Sequence, residues 1–109
     1  MCNGKKATIV GSERSEWIIG TRGDDVIVAL GGWDLVIAFE GNDTICLGAG
    51  YDVAFAGFGD DKVFGEGGND MVFGEMGADS LDGGDGKDVC FGGFGSDSAA
   101  GCEWSWGVP

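Results

Sequence analysis

Apolar and polar positions recur along this chain with a period of nine residues. From residue 20 the sequence divides without insertion into nine units, of which the first reads GTRGDDVIV and the sixth reads GEGGNDMVF. The eighth position of every unit is apolar: Ile27, Val36, Ile45, Ala54, Val63, Val72, Leu81, Cys90 and Ala99. A strict period of this kind is typical of a solenoid, in which each repeat buries its apolar side chain against neighbouring repeats.

Two further positions do not vary among the nine units. The fourth is always Gly: Gly23, Gly32, Gly41, Gly50, Gly59, Gly68, Gly77, Gly86 and Gly95. The sixth is always Asp: Asp25, Asp34, Asp43, Asp52, Asp61, Asp70, Asp79, Asp88 and Asp97. Glycine-rich segments ending in Asp favour turns that adopt positive φ and expose carbonyl oxygens. Each unit therefore predicts a turn followed by a short strand whose middle side chain points inward.

Strands this short are not stable alone, so we expect successive strands to alternate between two parallel sheets. Two units then form one coil, and strands two units apart stack about 4.8 Å from each other. The predicted fold is all-β: a parallel β-roll solenoid with two sheets of short strands and 18 residues per coil.

The nine-residue frame becomes irregular at both ends. Residues 1–19 keep Ile9 and Ile18 at the eighth position but lose the Gly and Asp signature, so we interpret them as an N-terminal cap. Residues 20–100 hold the nine repeats, and residues 101–109, which keep Val108, form the predicted C-terminal cap. Solenoids need such atypical terminal repeats to close their ends.

The composition is strongly acidic and excludes several classes of function. The chain has 19 Asp and Glu against 6 Lys and Arg, a formal charge of −13, and no His. This charge should repel nucleic acid, and the lack of His removes His-based catalysis and most zinc enzymes. Because no nucleophile and base pair is apparent either, we predict that the protein is not an enzyme. No apolar run is long enough for a transmembrane segment.

The chemistry of calcium matches the predicted turns. Ca²⁺ binds six to eight oxygens, including backbone carbonyls, and stacked turns that each carry an Asp would repel one another without a cation between them. The turns of one edge, here the five-turn edge, carry Asp25, Asp43, Asp61, Asp79 and Asp97. Those of the opposite, four-turn edge carry Asp34, Asp52, Asp70 and Asp88. Four gaps and three gaps predict about seven ions, whose charge of about +14 nearly balances the protein.

The units resemble the RTX family of calcium-binding nonapeptide repeats, with the consensus GGxGxDxUx. The resemblance covers residues 20–100 and is weaker at the first two positions, where Ala29, Leu30, Ala38, Phe39 and Leu47 replace Gly. It implies a β-roll in which Ca²⁺ lies between stacked turns. The ligands it implies are the nine sixth-position Asp side chains and backbone carbonyls of the glycine-rich loops that contain the nine fourth-position Gly residues.

Four cysteines form an even set in a small chain: Cys2, Cys46, Cys90 and Cys102. This usage favours disulfides, an oxidising compartment and therefore a secreted protein, with buried free thiols as the alternative. A Cys90–Cys102 bond would hold the C-terminal cap and leave Cys2 for Cys46, yet four cysteines allow three pairings.

The outward positions of the even-numbered units form an apolar surface that extends into the N-terminal cap. We call it the even face: Trp17, Ile19, Leu35, Ile37, Val53, Phe55, Met71, Phe73, Val89 and Phe91. A flat apolar patch of several hundred Å² is large for a monomer, so we predict a homo-oligomer, either a dimer or a filament. Phe58, Met76 and Phe94 on the five-turn edge would widen the contact. Alternatively, a cap segment or the tail with Trp104 and Trp106 covers the face.

These observations predict an extracellular calcium-binding structural protein that folds on Ca²⁺ and self-associates through the even face. One alternative is a calcium-dependent folding or cap module of a larger secreted adhesin or hydrolase, in which the even face packs against a neighbouring domain. The other is a binder of an apolar surface.

Overall fold

The computed structural model describes residues 2, 4, 6–93, 95, 97–102 and 104–106. The regular structure of these residues consists of short β-strands, without a helix. In chain order they are β1 (Ile9–Val10), β2 (Trp17–Ile19), β3 (Val26–Val28), β4 (Leu35–Ile37), β5 (Thr44–Cys46), β6 (Val53–Phe55), β7 (Lys62–Phe64), β8 (Met71–Phe73), β9 (Ser80–Asp82), β10 (Val89–Phe91), β11 (Ser98–Ala100) and β12 (Trp104–Trp106). Over the same residues, no helix is long and apolar enough to cross a membrane.

The strands alternate between two parallel six-stranded sheets, as the sequence predicts. One sheet has the order β1-β3-β5-β7-β9-β11 and the other has the order β12-β10-β8-β6-β4-β2. Partners within the repeats are 18 residues apart, as in the pairs Ile27 with Ile45 and Val36 with Ala54. The predicted β-roll with 18 residues per coil is therefore confirmed.

The core between the sheets consists of the eighth-position side chains. Those from Ile18 to Cys90 are buried, and Ile9 and Ala99 pack against them at the two ends. The first position adds to this core in the early repeats, where Ala29, Ala38, Leu47 and Ala56 are fully buried. These departures from glycine therefore supply apolar volume to a thin core.

The fourth-position glycines are required by the close stacking of the turns. From Gly32 onward each of them has a positive φ, whereas Gly23 does not. A Cβ atom on Gly68 would lie 2.0 Å from the carbonyl oxygen of Gly50, one coil earlier. Neither the backbone conformation nor the space allows another residue there.

The two ends of the solenoid follow the frame differently. At the N-terminus, Ile9 pairs with Ile27 and Ile18 pairs with Val36, both in the 18-residue register. At the C-terminus, Val89 pairs with Trp104, so β12 begins three residues before the position that the nine-residue frame predicts. Val108 lies outside the described residues. Since β12 extends the sheet of β10, the alternative in which this segment folds back over the even face is wrong.

Two disulfides hold these ends. Cys2 is bonded to Cys46, and Cys90 is bonded to Cys102, so the pairing that joins each cap to the repeats is the one observed. No described cysteine is free. Cys2 is only 1% exposed and lies against the outer side of β5, where Thr44 and Cys46 are also buried.

Candidate metal centre

The sixth-position Asp side chains are buried in the turns, although each belongs to a surface loop. Their exposed fractions are 5% or less from Asp25 to Asp97. From Asp43 onward, each carboxylate accepts a hydrogen bond at Oδ1 from the backbone N–H of the Asp one coil earlier. The N–H of Asp43 donates to Asp61 at 2.7 Å, and the N–H of Asp61 donates to Asp79 at 2.9 Å. The backbone thereby aligns the carboxylates in one row along each edge.

The second oxygen of most of these carboxylates has no hydrogen-bond partner. The unpaired buried atoms include Oδ2 of Asp34, Asp43, Asp52, Asp61, Asp70, Asp79 and Asp97. Asp25 differs because the backbone N–H of Thr21 donates to its Oδ2 and the Thr21 hydroxyl donates to its Oδ1, both at 2.8 Å. A buried anionic oxygen without a partner is costly, so these rows require a cation or a proton.

Backbone carbonyls of the next coil border the same spaces as the unpaired oxygens. If Gly65 had a side chain, its Cβ would lie 2.7 Å from Oδ2 of Asp70 and 2.6 Å from the carbonyl oxygen of Gly83. The two oxygens therefore border the same small space. No three acidic or cysteine side chains converge among the residues described, so backbone carbonyl oxygens and water would complete any coordination sphere around these carboxylates. This donor set of hard oxygens fits Ca²⁺ and does not fit a thiolate- or imidazole-binding metal.

The electrostatics of the rows favour an added positive charge. Burial raises the pKa of Asp61 and Asp70 to about 8 and the pKa of Asp43, Asp52 and Asp79 to about 7. The hydrogen bond from the preceding coil lowers each pKa in part, whereas the charges of neighbouring carboxylates raise it. Without a cation, the stacked carboxylates therefore favour protonation even near neutral pH.

Glu16 extends the carboxylate row of the four-turn edge, which the sequence analysis missed. Its backbone N–H donates to Oδ1 of Asp34 at 3.2 Å, in the same way as the Asp residues of the later coils. A Cβ on Gly11 would lie 2.6 Å from Oε1 of Glu16 and 2.7 Å from the carbonyl oxygen of Ala29. The available signal was that Glu16 occupies the sixth position of the irregular unit 11–19.

The even face lies outside the core, on the strands of the second sheet. Its side chains are half-buried or exposed, and Trp17 is 79% exposed. Phe55, Phe73 and Phe91 form a ladder of parallel rings, with centroids 4.7 Å apart for each neighbouring pair.

The five-turn edge continues this apolar surface. Phe58 and Met76 line a groove together with Ile37 and Phe55 of the even face. Phe94, the third member of the predicted stripe, lies outside the described residues.

Comparison with known families agrees with this geometry. The RTX calcium-binding nonapeptide repeat, in its four-copy form, matches residues 10–45, 20–54, 37–72, 48–81 and 67–99. Neither curated proteins nor solved structures give a match. The matched segments together include most of the chain and all the turns whose carboxylates are aligned. The chain therefore belongs to the RTX family of calcium-binding nonapeptide repeats.

Proposed function

We propose that this protein is an extracellular structural module that folds when Ca²⁺ fills the spaces between its stacked turns, and that it self-associates through the even face. Its role is structural rather than catalytic. The observation that carries the proposal is the row of buried Asp carboxylates, most of which have an Oδ2 atom without a hydrogen-bond partner. Two disulfides support a location in an oxidising compartment.

The proposed ligands are the nine sixth-position Asp side chains and carbonyl oxygens of the loops around the nine fourth-position glycines. With one ion in each gap between successive turns of an edge, the repeats would hold about seven ions. Glu16 offers a further carboxylate between the N-terminal cap and the turn of Asp34. Counting bound calcium by atomic spectroscopy on the native protein measures this stoichiometry.

Replacing one buried carboxylate should weaken calcium binding and stability together. Asp61→Asn removes the charge of a buried carboxylate, whose Oδ2 is unpaired, at the middle of the five-turn edge. We expect a loss of about 2 kcal/mol, which lowers the melting temperature in calcium by on the order of 10 °C. We also expect a higher calcium midpoint and a less cooperative titration. Thermal melts and circular dichroism at a series of calcium concentrations measure both effects.

Asp60→Asn is the matched control for this substitution. It removes the same charge from the neighbouring residue, whose exposed carboxylate accepts a hydrogen bond from the N–H of Ala78. An Asn already holds the equivalent place one coil earlier, because Asn42 accepts from the N–H of Asp60. We therefore expect almost no change, and equal effects of the two variants would contradict the assigned ligand positions.

The even face supports the self-association part of the proposal. Three-residue strands stacked in one sheet give a flat apolar surface, and the phenyl rings of Phe55, Phe73 and Phe91 run along it in line. Pairing of two such faces about a two-fold axis would give a closed dimer, whereas an offset pairing would propagate into a filament.

A charge in the middle of this ladder should break the oligomer but leave the fold intact. Phe73 points away from the core and from the Asp rows, so Phe73→Lys should retain the β-structure in calcium. The buried ammonium group would disfavour a face-to-face contact, and we expect at least a tenfold weaker association. Size-exclusion chromatography with light scattering in millimolar calcium measures the mass, and circular dichroism checks the fold.

Phe64→Lys provides the control on the other sheet. Phe64 occupies the same ninth position one unit earlier, on β7. This variant should self-associate like the wild type. A wild-type monomer at all concentrations would refute self-association and favour the alternative, in which the even face packs against a neighbouring domain of a larger secreted protein.

A further inference from the structure

A groove of about 490 Å³ lies where the even face meets the five-turn edge. Two outward side chains of the sheet, Ile37 and Phe55, contribute to its lining, and turn residues supply the rest: Phe39, Glu40, Gly57, Phe58, Glu75 and Met76. Its volume is within the range of small-molecule sites, which is roughly 300–1,000 Å³. Calcium binding needs none of these side chains.

The walls of the groove come from the third position of the repeat. This position is large on the five-turn edge (Glu40, Phe58 and Met76) and small in the first three units of the four-turn edge (Gly31, Ala49 and Gly67), whose last unit has Asp85. The backbone fixes the walls, since the N–H of Phe58 donates to the carbonyl of Phe39 at 3.0 Å and that of Met76 donates to Gly57 at 3.3 Å. The groove is therefore formed by the rigid stack of turns.

The second position of the repeat contributes an aromatic ring (Phe39) and a carboxylate (Glu75) to the groove, on either side of Gly57 in the stack. Phe39, Gly57 and Glu75 follow one another along the stack with φ values of 64°, 86° and 70°. Gly57, which lies between the other two in the stack, has no side chain. Leu30 and Glu66 adopt the same conformation on the four-turn edge, but the third-position residues that follow them, Gly31 and Gly67, have no side chain to form an apolar wall.

The charges at the groove are negative and poorly compensated. Glu75 is exposed and has no ion-pair partner among the residues described. Glu40 is 3.9 Å from Arg22, but both side chains are largely solvated, at 57% and 90% exposure. An apolar lining with a free carboxylate at its rim complements a ligand that has an apolar body and a positive end.

We propose that this groove binds an organic cation with an apolar body, such as an aromatic or alkyl ammonium ion. The apolar part packs against Phe55, Phe58 and Met76. The ammonium group lies beside Glu75, where the ring of Phe39 also offers a cation–π contact. This site differs from the calcium turns, and it takes a ligand of a different chemical class.

Three probes of one shape test the proposal on the calcium-loaded protein: 4-phenylbutylammonium, 4-phenylbutanol and 4-phenylbutanoate. Nuclear magnetic resonance titration reports the affinity and the residues that shift. We expect binding in the order cation, alcohol, carboxylate, with shifts confined to the groove. Equal affinity for the cation and the carboxylate, or no binding of the cation at millimolar concentration, would overturn the proposal.

Substitutions separate the two parts of the site. Glu75→Gln should weaken the cation about threefold, as expected for an exposed ion pair, and leave the alcohol unchanged. Met76→Ala should weaken all three probes. Glu66→Gln is the matched control, because Glu66 has the same repeat position and φ of 65° but does not line this groove. If Glu66→Gln weakens the cation as much as Glu75→Gln does, the effect is one of overall charge and the proposed site is wrong.

A further variant distinguishes this proposal from self-association. Ile37 and Phe55 belong both to the groove and to the even face, so an oligomer would compete with the ligand. Phe73 does not line the groove. Cation binding should therefore persist in Phe73→Lys, whichever oligomeric state the wild type has, and its loss in a folded Phe73→Lys protein would contradict the assignment to the groove.

Discussion

Removing calcium should convert the folded chain into a largely unfolded one. The fold places carboxylates one above another in two rows, and most of them have a buried oxygen without a partner. The chain carries a formal charge of −13, and its core is a single layer of side chains between two sheets. We expect repulsion and desolvation to outweigh apolar burial when no cation is present. Far-ultraviolet circular dichroism in chelator and in roughly 1 mM calcium, an extracellular level, measures the change.

The disulfides make this transition reversible in principle. Cys2–Cys46 and Cys90–Cys102 close segments at both ends of the chain and remain intact in chelator. They restrict the unfolded chain without supplying the missing positive charge. Adding calcium back should therefore restore the β-spectrum, and magnesium at the same concentration should not, because Mg²⁺ requires a tighter octahedral site. Identical β-spectra with and without calcium would show that the carboxylate rows do not depend on the ion.

Protonation should partly replace calcium in the metal-free protein. Burial raises the pKa of Asp61 to about 8 and that of Asp43 to about 7, well above the value near 4 of an unfolded Asp. The folded state thus binds more protons than the unfolded state, so its stability is highest at low pH and is lost as the pH rises through 7 to 8. Calcium-stripped protein should accordingly show more β-structure at pH 5 than at pH 9.

The nine-residue period was sufficient to predict the architecture because it determines which strands are neighbours. Once Asp43 and Asp61 are two units apart, they must lie in adjacent coils of one edge, and the backbone then aligns their carboxylates. The end of the solenoid could not be predicted in this way. After Ala100 the chain has no Gly and Asp signature, and β12 joins the sheet after a shorter turn, in which Cys102 is bonded to Cys90 of β10.

The repeat pattern also did not predict how individual side chains are arranged in the turns. The invariant Asp of the repeat does not predict Glu16, although a place in the row depends on the backbone N–H and the Glu side chain is only one methylene longer than that of Asp. The groove was missed for a different reason. The repeat predicts Gly at the second position, where φ is positive, whereas Phe39 and Glu75 adopt this conformation and direct side chains beside Gly57.

A single methyl group in the stack of turns should be as damaging as a lost ligand. Gly68 has a φ of 85°, which disfavours any L side chain, and its Cβ would meet the carbonyl oxygen of Gly50 at 2.0 Å. Because this neighbour is backbone, the turns must separate to relieve the contact. We expect Gly68→Ala to cost at least about 3 kcal/mol, and to lower the melting temperature in calcium by more than about 10 °C.

The adjacent glycine provides a control, because an added methyl group there meets neither the backbone restriction nor the close contact of Gly68. Gly67 does not have a positive φ, and a Cβ there would meet no atom within 4 Å. Gly67→Ala should therefore be neutral or slightly stabilising, since it reduces the freedom of the unfolded chain. Because the two variants have the same composition and charge and lie one residue apart, a difference in melting temperature reports the positive φ and the close stacking of the coils at Gly68. Similar melting temperatures for the two variants would mean that the turns are not stacked as closely as the structure shows, and that the carboxylate rows of adjacent coils are too far apart to share an ion.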